Sequence, residues 1–464
     1  MYAEVEMGST LATAPGSLPW VGHAVAIVRD RFRFLRSLPD HGDLVWIRIG
    51  PWKALVVTTD ALSAQVLRDD RTFDKGGPLY DRIRETGGNG LASCPYDDHR
   101  RQRRLVQPCF QADRIPGYVP VMRRQAVQMV DSWREGSPVD VLVDMRVMAA
   151  RTALATMFSG APTDSVLDTL VKEVDTVLSG IVRRALMPEW LAGFPTPGNR
   201  SYRRAQARTR ETVAGLVAGY RRQESDRGDL MSALVATRDP ENGNKGLCKS
   251  ELQDQVLTFL VAGTETTAST LSWALHLVAQ HPHVDAQLYE EAAKFLGREG
   301  DACADPARLV VARNVVLETL RLYPPLPMLT RVTTRETELG GHTVPQGTTV
   351  IFSPYTVQHR PGLYADPEAF LPERWADCAP GFRPPRGPFV AFGGGARKCI
   401  GDTFALTHAT LALSSIAARW RLHALTDRTP KPATSMTMSP SRLRLLPEKR
   451  HPLTVPVHGP PAGR

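Results

Sequence analysis

The chain of 464 residues is 42% hydrophobic and 23% charged, a composition typical of a folded globular protein. Its formal net charge of +9 permits an acidic partner or nucleic acid. The basic residues form no stripe interleaved with aromatic residues, so nucleic-acid binding is not expected. No run approaches the roughly 18 apolar residues needed to cross a bilayer, and no membrane span is expected.

The six cysteines form no C-x-x-C pair and have no zinc-site spacing; they are at positions 94, 109, 248, 303, 378 and 399. Scattered cysteines in a chain without a secretion signal are typical of a reducing compartment, so we predict a cytoplasmic protein. Residues 1–14 are predicted to be a disordered leader, residues 15–450 the folded domain and residues 451–464 a frayed tail.

Short helix and strand patterns fill the first 70 residues, with helices at 29–38 and 60–67 and a hairpin of strands at 44–49 and 54–58. Glycine clusters bracket residues 74–95, which we predict to be irregular. A basic helix begins at Asp98, and its His99 and Arg103 are four residues apart, so they share one face. Several helical segments follow over residues 117–222.

The middle of the chain predicts one long helix. The run SELQ (residues 250–253) fits a capping box, and an apolar helical pattern continues from there to His281. About 30 residues at 1.5 Å each span roughly 45 Å, enough to cross a whole domain. Within this helix, AGTETT (residues 262–267) combines a glycine with three threonines, all poor helix formers, which indicates function. The Thr266 hydroxyl can donate to the Ala262 carbonyl one turn back and open the helix there. The alternative is a core helix with a polar face.

Two charged motifs follow the long helix. Glu318 and Arg321 are three residues apart on a helical pattern, and alone they indicate no more than a surface ion pair. The run FLPERW (residues 370–375) comes about 50 residues later. Alternating runs predict strands around Arg331, at 348–352 and at 437–445.

The last motif is PFVAFGGGARKCIG (residues 388–401), a glycine-rich loop that ends in Cys399 and precedes a helical pattern over 402–419. A cysteine just before a helix gains thiolate character, because the helix N-terminus carries roughly half a positive charge. The loop therefore suits a thiolate that ligates a metal. A buried structural cysteine beside a glycine turn is the alternative, and the loop fits neither common nucleotide-binding pattern.

Taken together, these motifs resemble the cytochrome P450 monooxygenases over about residues 15–450. The loop reproduces F-x-x-G-x-R-x-C-x-G, the haem-binding signature of that family. AGTETT matches [AG]-G-x-[DE]-T-[TS], and the E-x-x-R and F-x-P-E-R-[FW] motifs follow in the family's order. The resemblance implies a mainly α protein with small β-sheets (α+β), a single large domain of the P450 fold. Haem would lie between the long central helix and the helix after the cysteine loop.

The resemblance also implies roles for individual residues. Cys399 would bind the iron of haem b, Thr266 would orient activated dioxygen, and Glu265 would help deliver protons. Residues implied in haem binding are His99 and Arg103 at one propionate, Arg331 at the other, and Phe392, Gly395, Arg397, Gly401, Ala262 and Gly263 around the ring. Residues implied in a buried ion network that fixes the cysteine loop are Glu318, Arg321 and Arg374.

The segments expected to line the substrate pocket are apolar: Leu257, Phe259, Leu260, Val261, Leu326, Met328, Leu329, Met436 and Met438. Apolar pockets with flexible methionines suit compact hydrocarbons. The runs at 15–23, 71–78 and 99–104 also resemble terpene-oxidising bacterial members, above all those that oxidise pentalenene. We therefore predict hydroxylation of a cyclic sesquiterpene, with successive oxidation of a methyl group to alcohol and aldehyde as an extension.

Alternatives of the same fold are a fatty-acid or macrolide hydroxylase and a peroxide-driven peroxygenase. A non-catalytic haem sensor would not need the acid–threonine pair. Fewer than 70 residues follow Cys399, which leaves no room for a fused flavin reductase. The expected partners are therefore O2, a ferredoxin and a ferredoxin reductase, and the expected state is a monomer.

Overall fold

A computed structural model describes residues 11–450, except 160–162, 186–193, 222–226, 297–304, 379–380, 384, 386, 427–429 and 434–436. The predicted fold class is confirmed, because the described chain is mostly helical with small sheets. The helices are α1 (Ala24–Ser37), α2 (Asp60–Arg68), α3 (Gly77–Gly87), α4 (Tyr96–Val106), α5 (Ile115–Ser132), α6 (Val141–Met157), α7 (Asp164–Ala185), α8 (Pro197–Arg221), α9 (Leu230–Ala236), α10 (Lys249–Gln280), α11 (Pro282–Phe295), α12 (Val310–Leu322), α13 (Pro354–Gln358) and α14 (Asp402–Arg419).

The strands form three small sheets. They are β1 (Ala12–Thr13), β2 (Leu44–Ile49), β3 (Trp52–Val57), β4 (Phe73–Asp74), β5 (Val139–Asp140), β6 (Leu329–Thr333), β7 (Thr337–Leu339), β8 (His342–Val344), β9 (Thr349–Phe352), β10 (Trp420–Ala424) and β11 (Arg444–Lys449). The largest sheet has the order β1-β2-β3-β9-β6-β4, the second β10-β11-β5, and β7 pairs with β8. The predicted hairpin is β2–β3, in which Leu44 pairs with Val57.

The long helix α10 lies at the centre of the main apolar core and packs against α6, α8, α12 and α14. Every residue from Thr267 to Val278 is buried, and the hydroxyls of Ser269, Thr270 and Ser272 donate to carbonyl oxygens. In the part of the chain that the structure describes, no helix is long and apolar enough to cross a membrane. Because α10 crosses the core and packs against α14, it forms one wall of the space between these two helices.

Several predicted boundaries are wrong. The leader predicted over residues 1–14 is ordered from residue 11, since β1 pairs in parallel with Val45 and Trp46. Residues 1–10 and 451–464 lie outside the described part. The stretch 74–95, predicted to be irregular, contains α3, which begins at Gly77 and has a proline in its first turn, where the missing N–H costs nothing.

The cap of the long helix also differs from the prediction. The helix begins two residues earlier, and the Cys248 N–H donates to the Glu251 carboxylate at 2.8 Å, so Glu251 closes the box rather than Gln253. The helix then runs without interruption through residues 262–267, so it is not opened at Ala262. Of the run 437–445, only Arg444 and Leu445 belong to a strand.

Candidate active site

A cavity of about 480 Å³ lies between α10 and the loop that precedes α14. Ala262 and Thr266 face it from the helix, and Phe392 and Cys399 face it from the loop. Segments far apart in the sequence thus meet at one internal space, as the sequence predicted. Gly263, Glu265, Arg397 and Gly401 also line this cavity, whereas Gly395 does not.

The cysteine loop is held by its own backbone. The Cys399 N–H donates to the Phe392 carbonyl at 2.9 Å. Gly395 has φ +62°, and a Cβ atom there would lie 2.0 Å from the Leu67 carbonyl oxygen, so only glycine fits. The loop is therefore pressed against the end of α2, with the Cys399 side chain accessible from the cavity.

The electrostatics of Cys399 differ from the sequence expectation. Burial raises the pKa of its thiol to about 11, and this outweighs the hydrogen bond from the Gly401 N–H and the nearby Arg103 and Lys398. Gly401 is the N-cap residue of α14, so the helix N-terminus does contact the sulfur, but its effect on the pKa is smaller than that of burial. A coordinated metal ion would supply the missing positive charge and hold the thiolate.

Three arginines and a histidine gather at one end of the cavity. Arg103 and His99 come from α4, Arg331 from β6 and Arg397 from the cysteine loop. Burial and the neighbouring cations lower the pKa of His99 to about 3, so its ring is neutral. The Arg103 guanidinium donates to the Lys398 carbonyl at 2.7 Å, and Arg331 is 4% exposed on β6. These positions fit an anionic group that enters from the cavity.

Arg397 is already occupied by protein groups. Its Nε donates to Asp70 at 3.2 Å, one terminal nitrogen to the Cys94 carbonyl at 2.8 Å and the other to Asp74 at 2.7 Å. The side chain thus fastens the cysteine loop to the segments on either side of α3.

Lys75 is a cavity residue that the sequence analysis missed. Its Nζ donates to the Ala92 carbonyl at 2.8 Å and lies 5.9 Å from the Tyr80 ring centre. Burial, with the nearby Arg331 and Arg397, lowers the pKa of this lysine to about 7. Because the glycines that follow Lys75 were interpreted as the start of an irregular loop, the sequence offered no reason to place this lysine at the cavity.

The predicted bond within AGTETT is present. The Thr266 hydroxyl donates to the Ala262 carbonyl at 2.6 Å. Glu265 is 7% exposed and accepts a hydrogen bond from Arg146 of α6 at 3.0 Å. Burial raises the pKa of the Glu265 carboxyl, although Arg146 acts in the opposite direction. An acid and an alcohol therefore stand side by side on the cavity wall.

Glu318, Arg321 and Arg374 are brought together as predicted. Arg321 donates to both carboxylate oxygens of Glu318, at 2.9 and 2.8 Å, and both side chains are fully buried. Arg374 approaches the same carboxylate at 3.5 Å, and the Trp375 indole donates to it at 2.8 Å. This ion network lies beside the cavity and does not line it.

One residue links that network to the cysteine loop. Arg321 donates to the Gln358 carbonyl at 3.1 Å, and the Gln358 side-chain oxygen accepts from the Val390 N–H at 2.9 Å. Val390 lies two residues before Phe392, so the buried ion pair and the loop are joined through a single glutamine.

The predicted pocket residues divide into three groups. Those that line the cavity are Leu257, Phe259, Val261, Leu326, Met328 and Leu329. Leu260 does not, because it points from the opposite face of α10. The prediction for Met438 is also wrong, because this residue is buried outside the cavity lining, where its carbonyl accepts hydrogen bonds from Trp273 and Ser269 of α10. Met436 lies outside the described residues.

Further lining residues that the sequence missed come from α3 and α7, among them Leu79, Ile83, Val177 and Ile181.

Residues 13–449 match the family model described as "Cytochrome P450". The chain belongs to the cytochrome P450 family. It is therefore a monooxygenase, an oxidoreductase that works with haem, O2, redox partners and a hydrophobic substrate.

Among similar proteins is "Pentalenene oxygenase" of Streptomyces avermitilis, 43% identical over 434 residues, with 93% of this chain and 96% of that protein covered. "Cyclooctat-9-en-7-ol 5-monooxygenase" of Streptomyces melanosporofaciens is 42% identical over 429 residues, with 92% and 91% covered. Among solved structures, the "cytochrome P450DA heme domain" superposes with a TM-score of 0.83 at 26% identity, with 95% and 98% covered.

The residues at the cavity fit a haem. His99 is 2% exposed, and among the described residues its Nδ1 has no hydrogen-bond partner; the Asp70 carboxylate is 3.9 Å away. A buried, unpaired ring nitrogen beside Arg103 suits a propionate. Within the described ranges, no group of three or more His, Cys, Asp or Glu side chains could hold a metal, so a single thiol would need a macrocycle to complete the coordination.

Proposed function

We propose that this monooxygenase binds haem b through Cys399 and hydroxylates a cyclic terpene hydrocarbon, most specifically a sesquiterpene. The observation that carries the substrate proposal is the lining of the cavity over the AGTETT motif. Side chains from α3, α7, α10 and the segment after Pro325 make that lining largely apolar. Such a surface selects a compact hydrocarbon by shape. Of the charged lining residues, Arg146 is paired with Glu265 and Asp175, and Arg103 and Arg331 are assigned to the haem carboxylates.

The similar proteins support the same substrate class. The names of two of them contain a cyclic terpene or a terpene-derived alcohol, and both are above 40% identical to this chain. A methyl group oxidised successively to alcohol and aldehyde would fit a pocket that retains its product by shape. A fatty acid would instead require an anchor for its carboxylate within the apolar part of the cavity.

Each residue at the site has a distinct task in this proposal. Bound haem would supply the activation of dioxygen, the chemistry by which a monooxygenase places one oxygen atom in a C–H bond and releases the other as water. Cys399 fixes the cofactor from one side, and His99, Arg103 and Arg331 hold its carboxylates. The Thr266 hydroxyl would position a proton donor at the cavity wall, and Glu265 beside it would supply the proton. Apolar side chains exclude water from the remaining space.

The substrate proposal is tested by spectral titration. A cyclic sesquiterpene hydrocarbon should displace water from the apolar cavity and produce a saturable low- to high-spin shift of the haem spectrum. Lauric acid and a macrolide serve as comparison ligands in the same titration. A tight shift with either of them, and none with sesquiterpenes, would overturn the terpene assignment.

Thr266→Ala should keep haem and substrate binding but uncouple the reaction. Positioned proton transfer contributes about 10²- to 10⁴-fold in enzymes, and water replaces part of the lost hydroxyl, so we expect product per NAD(P)H consumed to fall roughly tenfold. Thr266→Ser retains the hydroxyl and is the matched control. Equal coupling in the alanine variant and the wild type would remove Thr266 from this role.

The redox partner we propose is a ferredoxin reduced by a ferredoxin reductase. The net charge of +9 favours an acidic partner. A cytoplasmic location and a monomeric state, both expected from the sequence, remain predictions. A peroxygenase would not need Glu265 and Thr266 together, so we favour dioxygen as the oxidant.

A further inference from the structure

A group of apolar side chains is exposed near the start of the described chain. More than half of the exposed large apolar side chains that the structure describes lie between residues 18 and 28 or directly beside that segment. Trp20 is exposed at 91% and Val28 at 82%. We call this group the N-terminal patch, and its six members are Leu18, Trp20, Val21, Val25, Val28 and Trp52.

The turn that carries Trp20 is fixed by its backbone. Leu18 and Gly22 exchange two N–H to carbonyl hydrogen bonds, at 2.9 and 3.0 Å. A Cβ atom at Gly22 would lie 2.3 Å from the Arg48 carbonyl oxygen, so the turn is pressed against β2. Trp20 itself has φ +65°, a left-handed conformation that is rare for a bulky residue. The fold thus holds the indole in solvent in spite of backbone strain, which indicates a function for the exposed position.

The same turn brings two other elements to the patch. The Gly50 N–H, at the tip of the β2–β3 hairpin, donates to the Val21 carbonyl at 3.0 Å, and this places Trp52 beside the turn. Helix α1 follows the turn directly, and its Val25 and Val28 share one face because they are three residues apart. A turn, a helix and a hairpin therefore build one apolar surface.

The surroundings of the patch are cationic. The two stretches that build it, residues 11–39 and 44–57, contain six Lys and Arg side chains and a single acid, Asp30. Arg29 and Lys53 are exposed and directly follow two patch residues in the sequence. An apolar centre with a positive rim is complementary to a surface that has anionic groups outside and hydrocarbon beneath.

This charge argues against a second copy of the chain as the occupant. In a symmetric dimer the same cations of both copies would meet across the interface, where like charges repel. A stable protein interface also takes roughly 20–30 residues a side, whereas the patch exposes six apolar side chains. Tryptophan flanked by arginine and lysine is typical of proteins that bind at the headgroup level of a bilayer, which needs no membrane-spanning helix.

We propose that the N-terminal patch binds the surface of an anionic lipid bilayer, from which the enzyme takes its substrate. Leu18, Trp20 and Val28 enter the headgroup region, and Arg29 and Lys53 lie against lipid phosphates. The supply of substrate rests on the hydrocarbon proposed above, since a cyclic hydrocarbon partitions from water into the interior of a bilayer.

The patch and the cavity are joined by one sheet. Strand β3, which begins with Trp52, pairs in parallel with β9, and β9 pairs with β6. Phe352 of β9 and Leu329 of β6 line the cavity. A bilayer that binds the patch would therefore hold the cavity in a fixed orientation above the lipid.

The binding is tested with the holoenzyme and sedimented vesicles, without substrate or redox partner. Vesicles that contain phosphatidylglycerol should bind the wild type in a salt-sensitive manner, and vesicles of phosphatidylcholine alone should bind it weakly. Leu18→Ser and Trp20→Ala should each weaken binding roughly tenfold, since each removes apolar surface that enters the bilayer. Arg29→Gln should weaken it about fivefold.

Leu425→Ser is the matched control, because Leu425 and Leu18 are equally exposed, at 46%, and Leu425 follows β10 of a different sheet. This variant should bind as the wild type does. A wild type that ignores anionic vesicles, or patch variants that bind as well as Leu425→Ser, would overturn the proposal. So would a wild-type dimer that Leu18→Ser converts to a monomer, because the patch would then be covered by a second copy.

The supply of substrate has its own measurement. The spin shift with a sesquiterpene dissolved in vesicles should develop several-fold more slowly in Trp20→Ala than in the wild type, and equally fast when cyclodextrin carries the sesquiterpene. Equal rates from vesicles would overturn the supply route. Vesicle binding is observed without any substrate, so failure of the terpene assignment would leave that result intact.

Discussion

Cys399→Ser protein is expected to lose the red-shifted Soret band that a thiolate-ligated haem gives in its ferrous carbonyl complex. The thiolate donates electron density that a serine oxygen cannot match. The effect should be complete, because no other cysteine lines the cavity among the described residues. The measurement is the reduced carbonyl difference spectrum of purified protein.

Cys248→Ser is the matched control for that variant. Cys248 is exposed at the start of α10, where serine is a favoured residue, so folding should be unaffected. Its carbonyl spectrum should equal that of the wild type. An unchanged band in Cys399→Ser would mean that a different cysteine holds the iron.

Arg321→Ala is expected to destabilise the fold by about 3–5 kcal/mol, since it leaves the Glu318 carboxylate buried without its main partner. The carbonyls of Pro367 and Ala369 would also lose a donor. The link through Gln358 to the cysteine loop should loosen with them, so haem retention should fall. The thermal midpoint and the haem-to-protein ratio measure both effects.

Arg374→Ala is the matched control, because it removes the more exposed partner of Glu318 and leaves the buried Glu318–Arg321 pair in place. The Arg374 side chain is 17% exposed and lies 3.5 Å from Glu318, so its loss should cost about 1 kcal/mol or less. Equal losses in the two variants would contradict the assignment of Arg321 as the main partner. A fully stable Arg321→Ala protein would contradict the whole account of this network.

The sequence predicted the parts of the site that are encoded in short motifs. Cys399 and Thr266 each stand in a run whose spacing constrains the backbone, and both face the cavity. The spacing of Glu318 and Arg321 alone indicated a surface pair, and their burial followed from the family resemblance. The Thr266 bond to Ala262 followed from helix geometry alone.

Other parts depend on tertiary packing and left no signal in short runs. Lys75 and the cavity face of α3 were hidden because glycine and proline around 76–78 indicate a loop, although they here open a helix. Leu260 was wrongly predicted to line the main cavity because the apolar sequence did not show which face of α10 borders it. Leu260 and Thr264, one turn apart, lie on the face that points away from the main cavity. The burial that raises the pKa of the Cys399 thiol cannot be read from one loop.

The measurement that tests the central claim most directly is isotope incorporation under ¹⁸O2. The holoenzyme, a ferredoxin, its reductase and NAD(P)H would be incubated with a cyclic sesquiterpene that gives the spin shift. We expect a hydroxylated product that carries one ¹⁸O atom per hydroxyl group and no oxygen from water. A product whose oxygen comes from water, or one that forms only with added peroxide and without the reductase, would contradict the claim.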